Sequence, residues 1–177
     1  WHFFRPLVSV SFFFERQLWR GEPLGYHITN LLLHALATWV MLKLLDAAFR
    51  SRWTTIIGGA LFAIHPVQVG AVAWIGGRTD SLSSLFVISF MLWLVRAARA
   101  KVEDSGKSLA LAILFYNLSI YTKEQCLPLL LIAPFAFQVW RPEAGVRLPR
   151  TSLFAAIPFV LCAVLFLTCG YFLGMPR

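Results

Sequence analysis

Three stretches of this chain carry no Asp, Glu, Lys or Arg: between Glu22 and Lys43, between Arg52 and Arg78, and between Arg150 and Arg177. Each meets the roughly 20 residues that a helix needs to cross about 30 Å of hydrocarbon. Soluble domains carry about 25% charged and 45–50% apolar residues; here 14% are charged and 59% hydrophobic, with a mean hydropathy of +0.71. Lipid is the better solvent for such a chain, and the fold class that follows is all-α, a polytopic transmembrane helical bundle. Three shorter gaps, Asp80–Arg96, Lys107–Lys123 and Glu124–Arg141, run about 15 residues each and fall short of a full span. The turns beside these short helices are expected to be drawn inward from the membrane surface.

Breakers divide the chain further. Residues 7–20 mix a Phe cluster with Glu15, Arg16 and Arg20 and predict an N-terminal interfacial amphipathic helix, within a segment 1–25 that ends a non-cytoplasmic loop. The transmembrane domain, 26–177, is expected to hold about six helices, some short or broken: 26–49, 54–76 interrupted at His65-Pro66, 80–98, 108–122, 124–140 and 151–174. The loops 49–53, 96–107 and 141–150 contain Arg50, Arg52, Arg96, Arg99, Lys101, Lys107, Arg141, Arg147 and Arg150, against Arg78, Lys123 and Arg177 opposite. The positive-inside rule makes the first set cytoplasmic, so the chain reads as a multi-pass integral membrane protein. The net charge of +8 sits at the ends of apolar segments rather than on one soluble face, which argues for a lipid bilayer as partner and against nucleic acid. Cys126, Cys162 and Cys169 have no spacing that implies a disulfide framework or thiolate metal site. The chain starts at Trp1 and ends directly after an apolar segment, and is expected to be an internal piece of a longer protein.

Unusual polar residues gather at the non-cytoplasmic edge. His27, Asn30 and His34 are spaced to share a helix face, which serves either helix packing through interhelical hydrogen bonds or a site. As metal ligands they are incomplete. Pro66 removes a backbone donor and frees a carbonyl; at membrane depth the result is either a simple kink or irregular backbone lining a cavity. Arg78 and Asp80 sit at one tip, Lys123 and Glu124 at another. Charges drawn into a membrane mark a pathway or site, unless they are interfacial caps that pair with each other. Two cations, two carboxylates and two histidines on one side suit an anionic group such as a phosphate, with Arg the bidentate partner and Lys a point charge.

Several short runs, in this order and spacing, carry a resemblance: Phe4-Arg5-Pro6-Leu7; Gly25-Tyr26-His27-Ile28-Thr29-Asn30-Leu31-Leu32-Leu33-His34-Ala35; Ala60-Leu61-Phe62-Ala63-Ile64-His65-Pro66-Val67; Ala71-Val72-Ala73-Trp74-Ile75 with Gly77-Arg78-Thr79-Asp80; and Lys123-Glu124. Over about residues 3–140 the chain resembles the transmembrane-and-tetratricopeptide-repeat O-mannosyltransferases and their bacterial relatives, in the GT-C glycosyltransferase class. The resemblance implies a GT-C-like bundle that transfers a sugar, mannose in this family, from a polyprenyl or dolichyl phosphate donor. The acceptor would be a Ser or Thr hydroxyl of a protein, at the luminal or periplasmic face of the endoplasmic reticulum or bacterial inner membrane. It implies Arg78 and Lys123 on the donor phosphate, Asp80 and Glu124 orienting them, and His65, His34, His27, Asn30 and Arg5 as supporting or pocket residues. A carboxylate base is implied in an acidic pair upstream of Trp1, with tetratricopeptide repeats downstream. No cofactor is specified, though a divalent metal stays open. Relatives carry a His-Pro-Val-His-x-Glu-Ala pattern where this chain has Gln68 and Gly70. Two other readings stay open: a transporter for lipid-linked sugars or small solutes, because broken helices also build transport sites, and a non-catalytic membrane anchor for repeats.

Overall fold

The computed structural model describes residues 5–100 and 105–131, with isolated helical positions at 139, 157, 160, 161, 164, 165, 167 and 168. Among the described residues there is no strand. Helix α1 spans Pro6–Trp19, α2 Pro23–Phe49, α3 Arg52–Ile64, α4 Gln68–Ala73, α5 Arg78–Arg99 and α6 Ser105–Thr122. A short 3-10 turn, Ile75–Gly77, leads into α5, and a 3-10 segment, Glu124–Leu131, follows α6.

Local chemistry sets these limits. Pro6 and Pro23 lie in the first turns of α1 and α2, where a missing N–H costs nothing. Ser51 caps α3 by accepting from the Thr54 N–H. At His65-Pro66 the helix stops: Pro66 has no N–H, and the Val67 N–H turns back to His65 Nδ1 at 3.2 Å. The break therefore falls where the His-Pro pair places it.

At about 1.5 Å per residue, α2 is about 40 Å long and α5 about 33 Å, and these two helices are long and apolar enough to cross a membrane. Helix α3, with 13 residues, covers only about 20 Å and needs α4 and the turn to complete a pass. Two differences from the sequence expectation have physical causes. Helix α5 is 22 residues long, not short, because Arg78, Asp80, Arg96 and Arg99 are helical; charge-free length undercounts a helix whose charged ends are accommodated. The segment after α6 is 3-10 rather than α-helical, with Pro128 inside it. Of the six expected spans, two are matched by helices of spanning length and composition; the rest of the 124–140 helix and the span over 151–174 lie outside the described residues but for isolated positions.

Helices α2 and α5 run in the same direction. Arg78 at the start of α5 bonds Tyr26 and Asn30 near the start of α2, and Arg99 at its end donates to the carbonyls of Ala47 and Ala48. Those carbonyls belong to the last turn of α2 and have no partner within the helix. Helix α3 returns against α2 with Gly58 and Gly59 under Leu45 and Leu42, the close approach that small residues permit between membrane helices.

Helix α5 is the hub. One core joins Phe90 and Leu94 to Ala112, Tyr116, Ile120 and Cys126; another joins Leu85, Ile88 and Leu92 to Ala37 and Val40 of α2. Large apolar side chains of α2 and α3 face outward: Leu24, Leu31, Leu32, Trp39, Trp53, Ile57, Leu61 and Ile64. So broad an apolar exterior marks a surface for lipid or protein rather than water.

Candidate functional site

The polar residues singled out in the sequence resolve into three groups. The first is buried. Arg78, 1% exposed, lies with its Nη1 2.6 Å from Glu15 Oε2. Its Nε donates to Asn30 Oδ1 at 2.5 Å and its Nη2 to the Tyr26 carbonyl at 3.3 Å, and its guanidinium stacks 5.1 Å from the centre of the Phe12 ring. Asn30 spends its own amide on the carbonyls of Trp74 (3.0 Å) and Val72 (3.4 Å), at the break between α4 and α5, where Trp74 also accepts from the Gly77 N–H. The network ties α1, α2, α4 and α5 at one end of the bundle. Although the carboxylate lies within ion-pair distance of Arg78, neither Glu15 oxygen accepts a hydrogen bond; we take the pair as Coulombic contact without hydrogen-bond alignment.

The second group is partly exposed. Lys123 Nζ donates to Asp80 Oδ1, with side-chain exposures of 23% and 51%. Arg5 grips Glu124 with two bonds, Nε to Oε2 at 3.1 Å and Nη2 to Oε1 at 2.7 Å, the bidentate geometry that guanidinium and carboxylate favour. Those bonds from Arg5 hold the Glu124 carboxyl below its ordinary range against the opposing effect of burial, with Lys123 adding to the pull. Arg5 is raised in turn, chiefly by its bonds to Glu124, and Asp80 acts on it through space. The four charges therefore form one alternating cluster assembled from the start of α1, the first turn of α5 and the turn after α6.

The pairing differs from the expected one. Arg78 and Asp80 stand two residues apart on α5, about 200° around the helix, so one points into the bundle and the other outward to Lys123. Glu124 orients Arg5, not Lys123. Glu15 is not among the site residues that the sequence singles out. The signal for it was present, an acid inside a Phe-rich helix, but its direction could not be read without the partner helix.

The third group lies apart. A cavity of about 260 Å³ is lined by His34, His65 and Gln68 with Leu31, Ile64, Val69 and Val72 among others. Here His34 Nε2 lies 3.0 Å from the Ala63 carbonyl, which the diverted Val67 N–H leaves unused, and the ring stacks on Phe62. Asn30 belongs to the Arg78 network instead of this cavity, and His27 is exposed, so the expected row of three polar residues on α2 splits. Among the described residues no three of His, Cys, Asp and Glu gather as metal ligands do.

No family profile and no solved structure matches the chain. Curated relatives do. Protein O-mannosyl-transferase Tmtc1 of Drosophila melanogaster is 33% identical over 128 residues, 72% of the chain and 15% of that protein. Protein O-mannosyl-transferase tmtc2 of Xenopus laevis is 39% identical over 89 residues, half of the chain and 11% of the relative. Protein O-mannosyl-transferase TMTC3 of Homo sapiens is 29% identical over 122 residues, 69% of the chain and 13% of the relative. The chain thus spans roughly an eighth of the length of these proteins.

Proposed function

We propose, from the premise that this chain is a TMTC-like member of the protein O-mannosyl-transferases, that it forms part of a membrane domain that transfers mannose. The donor would be a polyprenyl or dolichyl phosphate sugar, the acceptor a protein Ser or Thr hydroxyl, and the site would open on the luminal or periplasmic face. The alternating cluster of Arg5, Glu124, Lys123 and Asp80 is the observation that supports this reading. Its two cations are partly exposed and held by carboxylates on neighbouring elements, as a phosphate would hold them.

In an inverting displacement the acceptor oxygen bonds to the sugar's anomeric carbon as the bond to the donor phosphate oxygen breaks. The hydroxyl proton passes to a carboxylate base, assigned to the acidic pair expected upstream of Trp1, and the negative charge stays on the phosphate. Lys123 and Arg5 stabilise that charge as it grows. Of the two cations singled out in the sequence, Lys123 takes the phosphate, while Arg78 stays in the buried network with Glu15 and Asn30. The separate cavity beside His34 and His65 contributes apolar wall more than polar contacts, since both rings are already engaged with backbone.

The test uses the full-length protein, a polyprenyl-phosphate mannose and a Ser/Thr peptide. Lys123→Ala is expected to abolish transfer while membrane insertion and folding persist. Transfer at the parent rate would remove the cluster from the reaction.

A further inference from the structure

We infer that Glu15 and Arg78 are positioning residues: their buried pair fixes the rotation of α1 about its own axis, and that rotation delivers Arg5 to the charged cluster. The inference rests on the proposed function for its consequence, though not for its geometry.

Helix α1 turns its carboxylate, not its Phe pair, toward the other helices. Its carboxylate faces in and is buried, while Val10, Phe13, Phe14 and Leu18 are exposed. Only Val8 and Glu15 of the helix are buried, so little apolar packing holds this orientation. Glu15 is the one charged group of α1 that meets a buried opposite charge, and that charge cannot move, because Asn30 and the Tyr26 carbonyl hold Arg78 from α2. Trp19 adds a second restraint at the C-terminal end, donating through Nε1 to Thr29 Oγ1 at 3.2 Å. At the other end Arg5 reaches Glu124. If α1 rolled far enough to bury Phe13 and Phe14, Glu15 would leave Arg78 and Arg5 would swing away from Glu124.

Buried ion pairs are poor stabilisers compared with apolar residues of similar size, and a well-attested use is fixing register. The two roles separate experimentally. Glu15→Gln leaves Arg78 charged and buried without its counter-ion and is expected to unfold more readily. The double variant Glu15→Met/Arg78→Met removes both charges and, although it also loses the Arg78 bonds to Asn30 and Tyr26, is expected to unfold at a higher temperature than Glu15→Gln, yet to lose the register.

Benzoylphenylalanine in place of Phe14, in the full-length protein in lipid nanodiscs, reads the register directly. In the parent it is expected to crosslink to lipid. In the double variant it is expected to crosslink to protein as well, and mannose transfer is expected to fall by about tenfold or more, since a shift of ~1 Å at a site costs up to about a hundredfold. Lipid-only crosslinking in the double variant overturns the inference, whatever the transfer rate. Altered crosslinking with transfer at the parent rate also overturns it, because the rotation would then not matter to the site. If the parent itself transfers no mannose, the transferase reading fails, while the crosslinks still decide whether the pair sets the register.

Discussion

Replacing Asn30 with leucine tests the buried network at its busiest member. Asn30 is fully buried, and its side chain makes three bonds, one accepted from Arg78 and two donated to the Val72 and Trp74 carbonyls. Interhelical hydrogen bonds in membrane proteins average only about 0.6 kcal/mol, because the reference state within the bilayer also finds partners. Three such bonds would give about 2 kcal/mol. One of them, however, involves a buried guanidinium, for which losing the acceptor costs about 1.5–3 kcal/mol by itself, so Asn30→Leu is expected to cost about 3–4 kcal/mol. For a chain of this size that corresponds to a fall of about 6–15 °C in the thermal midpoint, readable by fluorescence in detergent or nanodiscs. Asn30→Asp keeps an oxygen for Arg78 but loses both donated bonds, and is expected to fall between parent and Asn30→Leu. A midpoint for Asn30→Leu within about 2 °C of the parent would refute the view that this residue closes the break between α4 and α5.

Other outcomes follow from the same geometry. Gly77→Ala would place a Cβ 2.5 Å from the Gly70 carbonyl oxygen and 2.7 Å from that of Ala71; backbone must move, and about 1–3 kcal/mol of destabilisation is expected in thermal unfolding. Gly70 has nothing within 4 Å of an added Cβ, and alanine is the better helix former, so Gly70→Ala is expected not to lower the midpoint. The Glu124 carboxyl is lowered by Arg5, so the stability it contributes is complete above the unfolded-state value near 4.3 and disappears as pH falls through its lower folded-state value. The advantage of the parent over Glu124→Gln, about 1 kcal/mol or less for a part-exposed pair, is therefore expected at pH 7 and should shrink toward zero as an acid unfolding series protonates the folded-state carboxyl.

The helices were more legible than their contacts. The Phe-rich run 7–20 and His65-Pro66 are local signals, and they put α1 and the break after α3 close to where they lie. The expected helix 80–98 starts two residues late and stops one early against α5, because counting uncharged residues treats Arg78 and Arg99 as outside the span. Both are inside the helix, one neutralised by Glu15 and the other capping α2. That the edge charges would matter was readable from their position; their partners were not. Glu15 and Arg78 are 63 positions apart, and Arg5 and Glu124 119 apart, so no sequence-local rule connects them. The i,i+2 spacing of Arg78 and Asp80 did contain a warning, since residues so spaced do not face each other on a helix.

Equal ion pairs in different surroundings have different uses, and this decides which cation suits a passing phosphate. An exposed pair contributes about 0.2–1 kcal/mol, so a ligand can take Lys123 from Asp80 at small cost, leaving a carboxylate that water solvates. Separating a buried pair costs about 3–5 kcal/mol, and reaching Arg78 would also mean lifting Phe12 and α1 off it. On the proposed reading Lys123 is therefore exchanged between Asp80 and substrate in each cycle, while Arg78 stays where it is. Paired measurements separate the two. Lys123→Ala should abolish transfer with the thermal midpoint nearly unchanged, whereas Arg78→Ala should lower both, and the loss of transfer should persist at temperatures where the variant is still folded. If Arg78→Ala left stability intact and raised only the KM for the donor, Arg78 would be the phosphate ligand and the exposed cluster would lose its assigned role.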